Sequence, residues 1–219
     1  FFEIASIFKT KNTLENEMIS SLLKLEVLSN SENLRKENDV NQNEGEPAFF
    51  ENERNKIAVQ NAGLILLHPF LKHFFVNTGI ADKNGTLLKN KLDLAVQSLH
   101  FLATGNENVF EGNLVFEKFL CGVPLKRPVP KLSLLTDEIR KESLVLLKEV
   151  IKHWTALKNT SPDGLRQTFI QRTGKLIQLE NKYKLLVERK TVDILLDKIS
   201  WNISIVKLSW LEELVIVEW

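Results

Sequence analysis

Apolar and polar residues divide the chain into segments with different predicted structures. The first segment has apolar residues at helical spacing, at Leu14, Met18, Leu22, Leu25 and Leu28. That spacing predicts a short amphipathic helix. The stretch from Asn30 to Pro47 is almost devoid of apolar residues, so it cannot bury enough surface to offset the entropy lost on ordering. We therefore predict a helical arm over residues 1–29, a polar linker over 30–48 and a single α+β domain over 49–219.

The first half of this domain has the apolar pattern of helices. From Ile57 the run AVQNAGLILL is apolar nearly all round, which predicts a buried helix. Pro69 suits the first turn of a second helix, because that position needs no N–H donor. Apolar residues at spacings of three and four over residues 88–102 predict a third helix, ended by Gly105.

Helices are also predicted in the middle of the chain, separated by an extended segment. A short helix is predicted over residues 113–120, and the three prolines of residues 122–130 predict an extended crossing. Thr136 is a capping residue before a long amphipathic helix. Ser161 and Pro162 predict the start of the next helix in the same way, as cap and first helical residue.

The period of the apolar pattern changes from 3.6 to 2 after Gly174. Residues 175–190 alternate around Asn181-Lys182, which predicts a β-hairpin. The string TVDILLDKI predicts a short helix, and NISIVKLSW and LVIVEW predict two further strands. The fold class predicted is α+β, with a bundle of about five to six helices followed by a small antiparallel β-sheet at the C-terminus.

Composition excludes several classes of protein. The chain has 29 basic and 28 acidic residues, so it has no overall positive charge that would attract nucleic acid. Neither a signal peptide nor an apolar run long enough for a transmembrane helix is found, so we expect no membrane partner. Cys121, the one cysteine, is predicted to be a small buried hydrophobe in a protein of a reducing compartment.

Motifs for catalysis or cofactor binding are not found. The four histidines, His68, His73, His100 and His153, lack the spacing of a metal site. The chain has no glycine-rich phosphate loop and no nucleophile elbow. We therefore predict no catalytic residues, no cofactor and no metal.

Aromatic residues and arginines provide candidates for a protein interface. Trp201, Trp210 and Trp219 either close the core between sheet and helices or lie at a protein–protein contact. Trp219 is the best candidate of the three, because a terminus is usually at the surface. Arg166 and Arg172 have two open interpretations. Their aliphatic stems cover apolar surface, or their guanidinium groups clamp carboxylates or helix ends, within the domain or between subunits.

Longer strings carry a family resemblance. In chain order they are NAGLILLHPFLKHFF, HFLATG, FEKFLCGVPL, EVIKHWTALKNTSPDGLRQTFIQRTGKL, LVERKTVDILLDKISWNISIVKLSW and VEW. Together they resemble the contractile injection system tape measure protein family of bacteria. The resemblance runs from about Ile57 to Trp219, whereas Phe1 to Phe50 carries nothing comparable.

The resemblance implies a non-enzymatic structural component of a phage-tail-like particle. A tape measure sets the length of the inner tube, but a compact domain is a poor ruler because even a helix advances only about 1.5 Å per residue. Residues 49–219 are therefore expected to be a docking domain, an adaptor or plug at a cap or baseplate end of the tube. Expected partners are tube, cap or baseplate proteins and further copies of the chain in three- or six-fold symmetry. Assembly is expected in the bacterial cytoplasm, followed by incorporation into an intracellular or released particle.

Two alternatives remain at the level of sequence. The chain could be an enzymatic or toxin cargo of the particle, which would require His68, His100, His153 and Glu149 to converge in a pocket. It could also be a soluble chaperone that binds tube subunits before assembly.

Overall fold

A computed structural model describes residues 56–219 of the protein. The predicted arm over 1–29, the predicted linker over 30–48 and the first residues of the predicted domain lie outside the described residues. The proposed boundaries between these segments therefore stay predictions.

The helices follow the predicted order. They are α1 (His68–Asn77), α2 (Leu92–Thr104), α3 (Val115–Leu120), α4 (Asp137–His153) and α5 (Pro162–Leu165). A π-helical turn, Arg166–Ile170, continues α5. Short 3₁₀ helices occupy Ala62–Leu67, Lys89–Lys91, Glu111–Asn113, Thr155–Leu157 and Thr191–Lys198.

The predicted helix starts and stops are confirmed by their geometry. Thr136 Oγ1 accepts a hydrogen bond from the N–H of Ile139 at 3.4 Å, and Ser161 Oγ accepts one from Gly164 at 3.0 Å. Each satisfies one of the N–H groups that a helix start leaves unpaired. Gly105 ends α2 at a φ of 71°, a left-handed conformation that glycine adopts without steric cost.

Five strands form one sheet in the order β1-β2-β3-β5-β4. Their bounds are β1 (Lys56–Val59), β2 (Gly174–Gln178), β3 (Lys182–Val187), β4 (Ile205–Val206) and β5 (Leu214–Glu218). The α+β class is confirmed, and so is the hairpin, which is formed by β2 and β3. The sheet is mixed rather than wholly antiparallel, since β3 and β5 run parallel. The long connection between them, which contains a 3₁₀ helix and β4, allows the chain to return in the same direction.

The start of the predicted buried helix is wrong. Residues from Lys56 to Val59 form β1, which pairs antiparallel with β2 in a register that joins Val59 to Gly174. Asn61 then adopts a left-handed conformation with a φ of 53°, and the apolar run continues as the 3₁₀ helix Ala62–Leu67. A short apolar run is compatible with either structure, and here the pairing with β2 decides.

The core lies between the helices and the sheet. Helix α4 packs against α1, α2 and α5, and the 3₁₀ helix Ala62–Leu67 contacts both the π-helical turn and β3. Trp154 and Phe169 are buried, with ring centroids 4.5 Å apart. Gly63 allows the closest backbone approach, because a Cβ atom there would lie 1.8 Å from the carbonyl oxygen of Phe169. The backbones of the 3₁₀ helix Ala62–Leu67 and of the π-helical turn are thus in direct contact.

Candidate interface residues and the arginine junction

Arg172 is enclosed completely, with no exposed surface. Its Nε donates to the carbonyl of Thr168 at 2.6 Å, its Nη1 to that of Glu188 at 2.9 Å, and its Nη2 to Oδ1 of Asp193 at 2.8 Å. The second oxygen of Asp193 accepts the N–H of Lys190 at 2.7 Å. One guanidinium group therefore joins the π-helical turn, the residue after β3 and the start of the following 3₁₀ helix. Its planar set of donors suits this task, which a lysine could not perform.

Arg166 is buried as well and holds the end of α2. It donates to the carbonyls of Leu102 at 3.1 Å and Phe101 at 3.4 Å, while the Gln171 amide donates to that of Ala103 at 3.0 Å. These carbonyls belong to the last helical turn, where the helix dipole is negative; that of Phe101 also accepts the N–H of Gly105 at 2.7 Å. A positive guanidinium group at this position stabilises the end of the helix. Arg166, Arg172 and Asp193 are called the arginine junction below.

The contacts of the arginine junction favour the interpretation in which the guanidinium groups clamp other groups over the one in which the stems only cover apolar surface. Both guanidinium groups bond to backbone carbonyls, and each also pairs with a carboxylate, Arg166 with Asp163 at 2.8 Å and Arg172 with Asp193. The clamp lies within the domain and holds a helix end and a carboxylate, which were two of the predicted targets. A role for Arg166 and Arg172 in contacting another subunit stays a prediction.

The candidate tryptophans differ in exposure. Trp201 is buried and donates its indole N–H to Leu66 at 3.0 Å, and the half-buried Trp210 donates to Leu120 at 2.8 Å. Trp219 is half-buried, and its enclosed Nε1 has no hydrogen-bond acceptor among residues 56–219. The structure brings the three tryptophans against the core rather than into one cluster with the arginines. Their place at an interface stays a prediction.

Polar side chains contact Glu117, which is buried with no exposed surface. Asn61 donates its amide to Oε1 of Glu117 at 2.7 Å, and Nδ1 of His100 lies 3.5 Å from the same oxygen. Cys121 is buried as predicted; burial raises the pKa of its thiol well above the ordinary value, and the Glu117 carboxylate raises it further. A reactive cysteine needs a thiolate and access, and this thiol has neither.

The convergence required by the cargo hypothesis is not seen in the contacts of these residues. His100 on α2 meets Glu117 on α3, whereas His153 lies 3.7 Å from Glu149 on its own helix. Nε2 of His68 lies 2.8 Å from the carbonyl oxygen of Asn202. Within residues 56–219, no three His, Cys, Asp or Glu side chains are grouped so that they could hold a metal ion.

Sequence reasoning missed the polar side chains that hold the segment between α3 and α4. The buried Lys118 bonds to Glu111 and donates to the carbonyls of Leu125 at 3.1 Å and Arg127 at 2.6 Å. Glu111 also accepts the N–H of Val129 at 3.2 Å. These contacts lower the pKa of Glu111, although burial acts to raise it. Spacing along the chain gives no signal for contacts of this kind, because their backbone partners lie in an irregular loop.

The buried Lys118, Arg166 and Arg172 are all held in internal contacts, an arrangement typical of a structural α+β domain. No helix within residues 56–219 combines the length and the apolar character that a membrane span requires. The model of the contractile injection system tape measure protein family matches residues 5–219, and the chain belongs to that family. It is therefore related to a structural component of contractile injection systems.

The match confirms the resemblance and extends it. The strings quoted above begin near Ile57, but the family model also covers most of the first fifty residues, so the expectation of no resemblance there was wrong. Residues 30–47 are rich in Asn and Glu and nearly devoid of apolar residues, so they gave no distinctive string from which to recognise the family. No curated protein and no solved structure matches the chain in the corresponding comparisons.

Proposed function

We propose that the chain is a non-enzymatic adaptor or plug at one end of the inner tube of a contractile injection particle, at the cap or the baseplate. The family match over residues 5–219 is the observation that carries this proposal. A particle component of this family must associate with other particle proteins. An adaptor does so through a folded surface of fixed shape.

The dimensions of the described domain support a role in docking at a tube end rather than in setting the length of the tube. Helix α4, with 17 residues, is its longest helix and spans about 25 Å. The arginine junction ties the π-helical turn to the end of α2 and to the residue after β3. A folded domain held together in this way suits a fixed position at a tube end.

The absence of catalysis is part of the proposal. His100, Glu117 and Cys121 are buried, and the thiol is held in its protonated form. A substrate has no access to these groups in the folded domain. Further parts of the proposal are assembly in the bacterial cytoplasm, tube, cap or baseplate proteins as partners, and several copies in three- or six-fold symmetry.

Imaging of particles tests the proposal directly. A strain that lacks residues 56–219 of this protein, but keeps the preceding residues, is compared with the same strain carrying the intact gene. We expect uncapped tube ends, tubes of irregular length or few complete particles. Particles of normal length with closed ends would contradict the adaptor.

Two further readouts separate the alternatives. Quantitative mass spectrometry of purified particles measures the number of copies per particle, and a fixed non-zero value is expected. A protein absent from mature particles would instead be an assembly chaperone. Normal particles that have lost only their effect on target cells would indicate a cargo.

A further inference from the structure

Two loops expose large apolar side chains. Phe110 lies between α2 and α3 with 73% of its surface exposed, and Leu132 lies between α3 and α4 with 78% exposed. Leu134, two residues later, is 40% exposed. Single exposed apolar residues are common, but several in neighbouring loops mark a site of interaction.

Hydrogen bonds join the two loops, so these side chains belong to one surface. Ser133, between the two leucines, donates to Oε2 of Glu107 at 2.5 Å. The N–H of Val129 donates to one oxygen of the Glu111 carboxylate, and Lys118 pairs with the other oxygen. The loop that carries Phe110 is therefore tied at two points, on either side of that residue, to the loop that carries Leu132.

The backbone under Leu132 is fixed although its side chain is exposed. The buried Gln97 donates to the carbonyl of Leu132 at 3.0 Å and to that of Pro130 at 2.8 Å. Its own amide oxygen accepts the N–H of Leu134 at 2.7 Å. An apolar side chain on a fixed backbone loses little conformational freedom when it binds, which favours affinity.

The segment that carries Leu132 and Leu134 is basic, whereas the loop that carries Phe110 has two acidic residues, Glu107 and Glu111, which pair with Arg140 and Lys118. Residues 118–135 contain four basic and no acidic residues. Lys118 pairs with Glu111, and Arg127 pairs with Asp93 at 2.9 Å. Lys126 and Lys131 are exposed and form no ion pair with any residue in the described part of the chain. Two unpaired positive charges therefore lie on the segment that carries Leu132 and Leu134.

The surface formed by Phe110, Lys126, Lys131, Leu132 and Leu134 is called the loop face. Building on the proposed function, we propose that the loop face docks on an acidic surface of another particle protein, one that offers apolar side chains flanked by carboxylates. Apolar anchors with complementary charges at the rim are the usual composition of a specific interface. The described residues 56–219 of a second copy have 23 basic and 17 acidic residues and are a poorer partner for this surface. Residues 1–55 hold 6 basic and 11 acidic residues, so docking of a second copy through them is the alternative that the cross-links below distinguish.

Site-specific cross-linking in intact particles tests the partner. A photoreactive benzoylphenylalanine replaces Leu132 in the full protein, and in a matched control it replaces Ile194, which is 72% exposed on the 3₁₀ helix Thr191–Lys198. We expect position 132 to cross-link to another particle protein, within a segment rich in Asp and Glu. Cross-links from position 132 to a second copy, or none when position 194 gives them, would overturn the proposal.

Charge reversal tests the electrostatic part. The double variant Lys126→Glu/Lys131→Glu is compared with Lys83→Glu/Lys198→Glu, which changes the net charge equally at other exposed lysines. We expect about a tenfold lower occupancy in particles for the first variant only. Equal occupancy would overturn the inference and leave the adaptor function intact, whereas absence of the wild-type protein from particles would overturn both.

A membrane partner is the competing outcome. Flotation of the purified full protein with phosphatidylglycerol vesicles, and of its Leu132→Ser variant, measures lipid binding directly. We expect neither protein to float. Binding of the wild type that Leu132→Ser abolishes would assign the loop face to a lipid surface and overturn the proposal.

Discussion

The arginine junction and the loop face present their side chains in opposite ways. Arg166 and Arg172 are charged, yet the fold encloses both and satisfies their donors with carbonyls and carboxylates. Phe110 and Leu132 are apolar, yet 73% and 78% of their surfaces are exposed to water. From residue type alone one would expect the arginines to be exposed and the apolar residues to be buried. The comparison teaches that buried charge stabilises this fold, whereas exposed apolar surface remains for binding.

The largest effect is expected for Arg172→Ala. The change removes three hydrogen bonds and leaves the Asp193 carboxylate, on a side chain only 8% exposed, without its counter-ion, so the free energy of unfolding should fall by about 3–5 kcal/mol. Urea denaturation followed by circular dichroism measures it. Arg189→Ala, at an exposed residue of the same strand exit, is the control and should have little effect. Similar stability of both variants would break the distinction between the two regions.

A smaller loss of stability is expected at Gly63, where the 3₁₀ helix Ala62–Leu67 approaches the backbone of the π-helical turn. Gly63→Ala places a methyl group against the carbonyl oxygen of Phe169, so the π-helical turn must shift, at a cost of about 1–3 kcal/mol. Gly112→Ala is the matched control, because a Cβ atom there meets nothing within 4 Å. Thermal unfolding of both proteins gives the comparison. An unchanged midpoint for Gly63→Ala would contradict the close approach.

A pH-dependent contribution is expected at the base of the loop face. Hydrogen bonds from Arg140 and Ser133 lower the pKa of Glu107 from its ordinary value of 4.5 to about 2. A carboxyl whose pKa is lowered on folding stabilises the protein above its unfolded pKa and loses that effect as the pH falls through its folded pKa. The wild type should therefore be more stable than Glu107→Gln at pH 7, by an amount that shrinks between pH 4.5 and pH 2.

Urea titrations of both proteins across this pH range measure the difference. The effect should be smaller than that of Arg172→Ala, because the ion pair of Glu107 and Arg140 is accessible to water and screened. A difference in stability that stays constant with pH would indicate that the Glu107 carboxylate has no special role.

The smallest effect on stability is expected for the loop face itself. Leu132→Ser removes a side chain that is 78% exposed, so the free energy of unfolding should change by about 0.5 kcal/mol or less. Its effect should appear in partner binding instead. A large loss of stability would show that Leu132 belongs to the fold, and the contrast with Arg172 would then disappear.

Local sequence signals predicted the local structure well. The caps at Thr136 and Ser161, the stop at Gly105 and the hairpin of β2 and β3 each depend on residues within a few positions, and each is confirmed. The burial of Cys121 followed from its apolar neighbours and is confirmed too.

Structure that depends on distant partners was beyond the sequence. Lys56 to Val59 form a strand only because β2, more than a hundred residues later, supplies the hydrogen bonds. The parallel pairing of β3 with β5 depends on the path of the intervening connection. Arg166 was recognised as a clamp or a cover, but its backbone partners lie 64 and 65 residues away, at oxygen atoms that every residue type shares. The loop face was missed because its apolar residues follow no regular period.

The position of β5 sets the order in which the domain can be completed during synthesis. β5 lies inside the sheet, between β3 and the two-residue β4, and among the strands of residues 56–219 β4 pairs with β5 alone. The sheet therefore stays open until Leu214 to Glu218 have left the ribosome, although the helices described here emerge earlier. Because a chain emerges from its N-terminal end, the residues before Lys56 leave the ribosome well before this sheet can close.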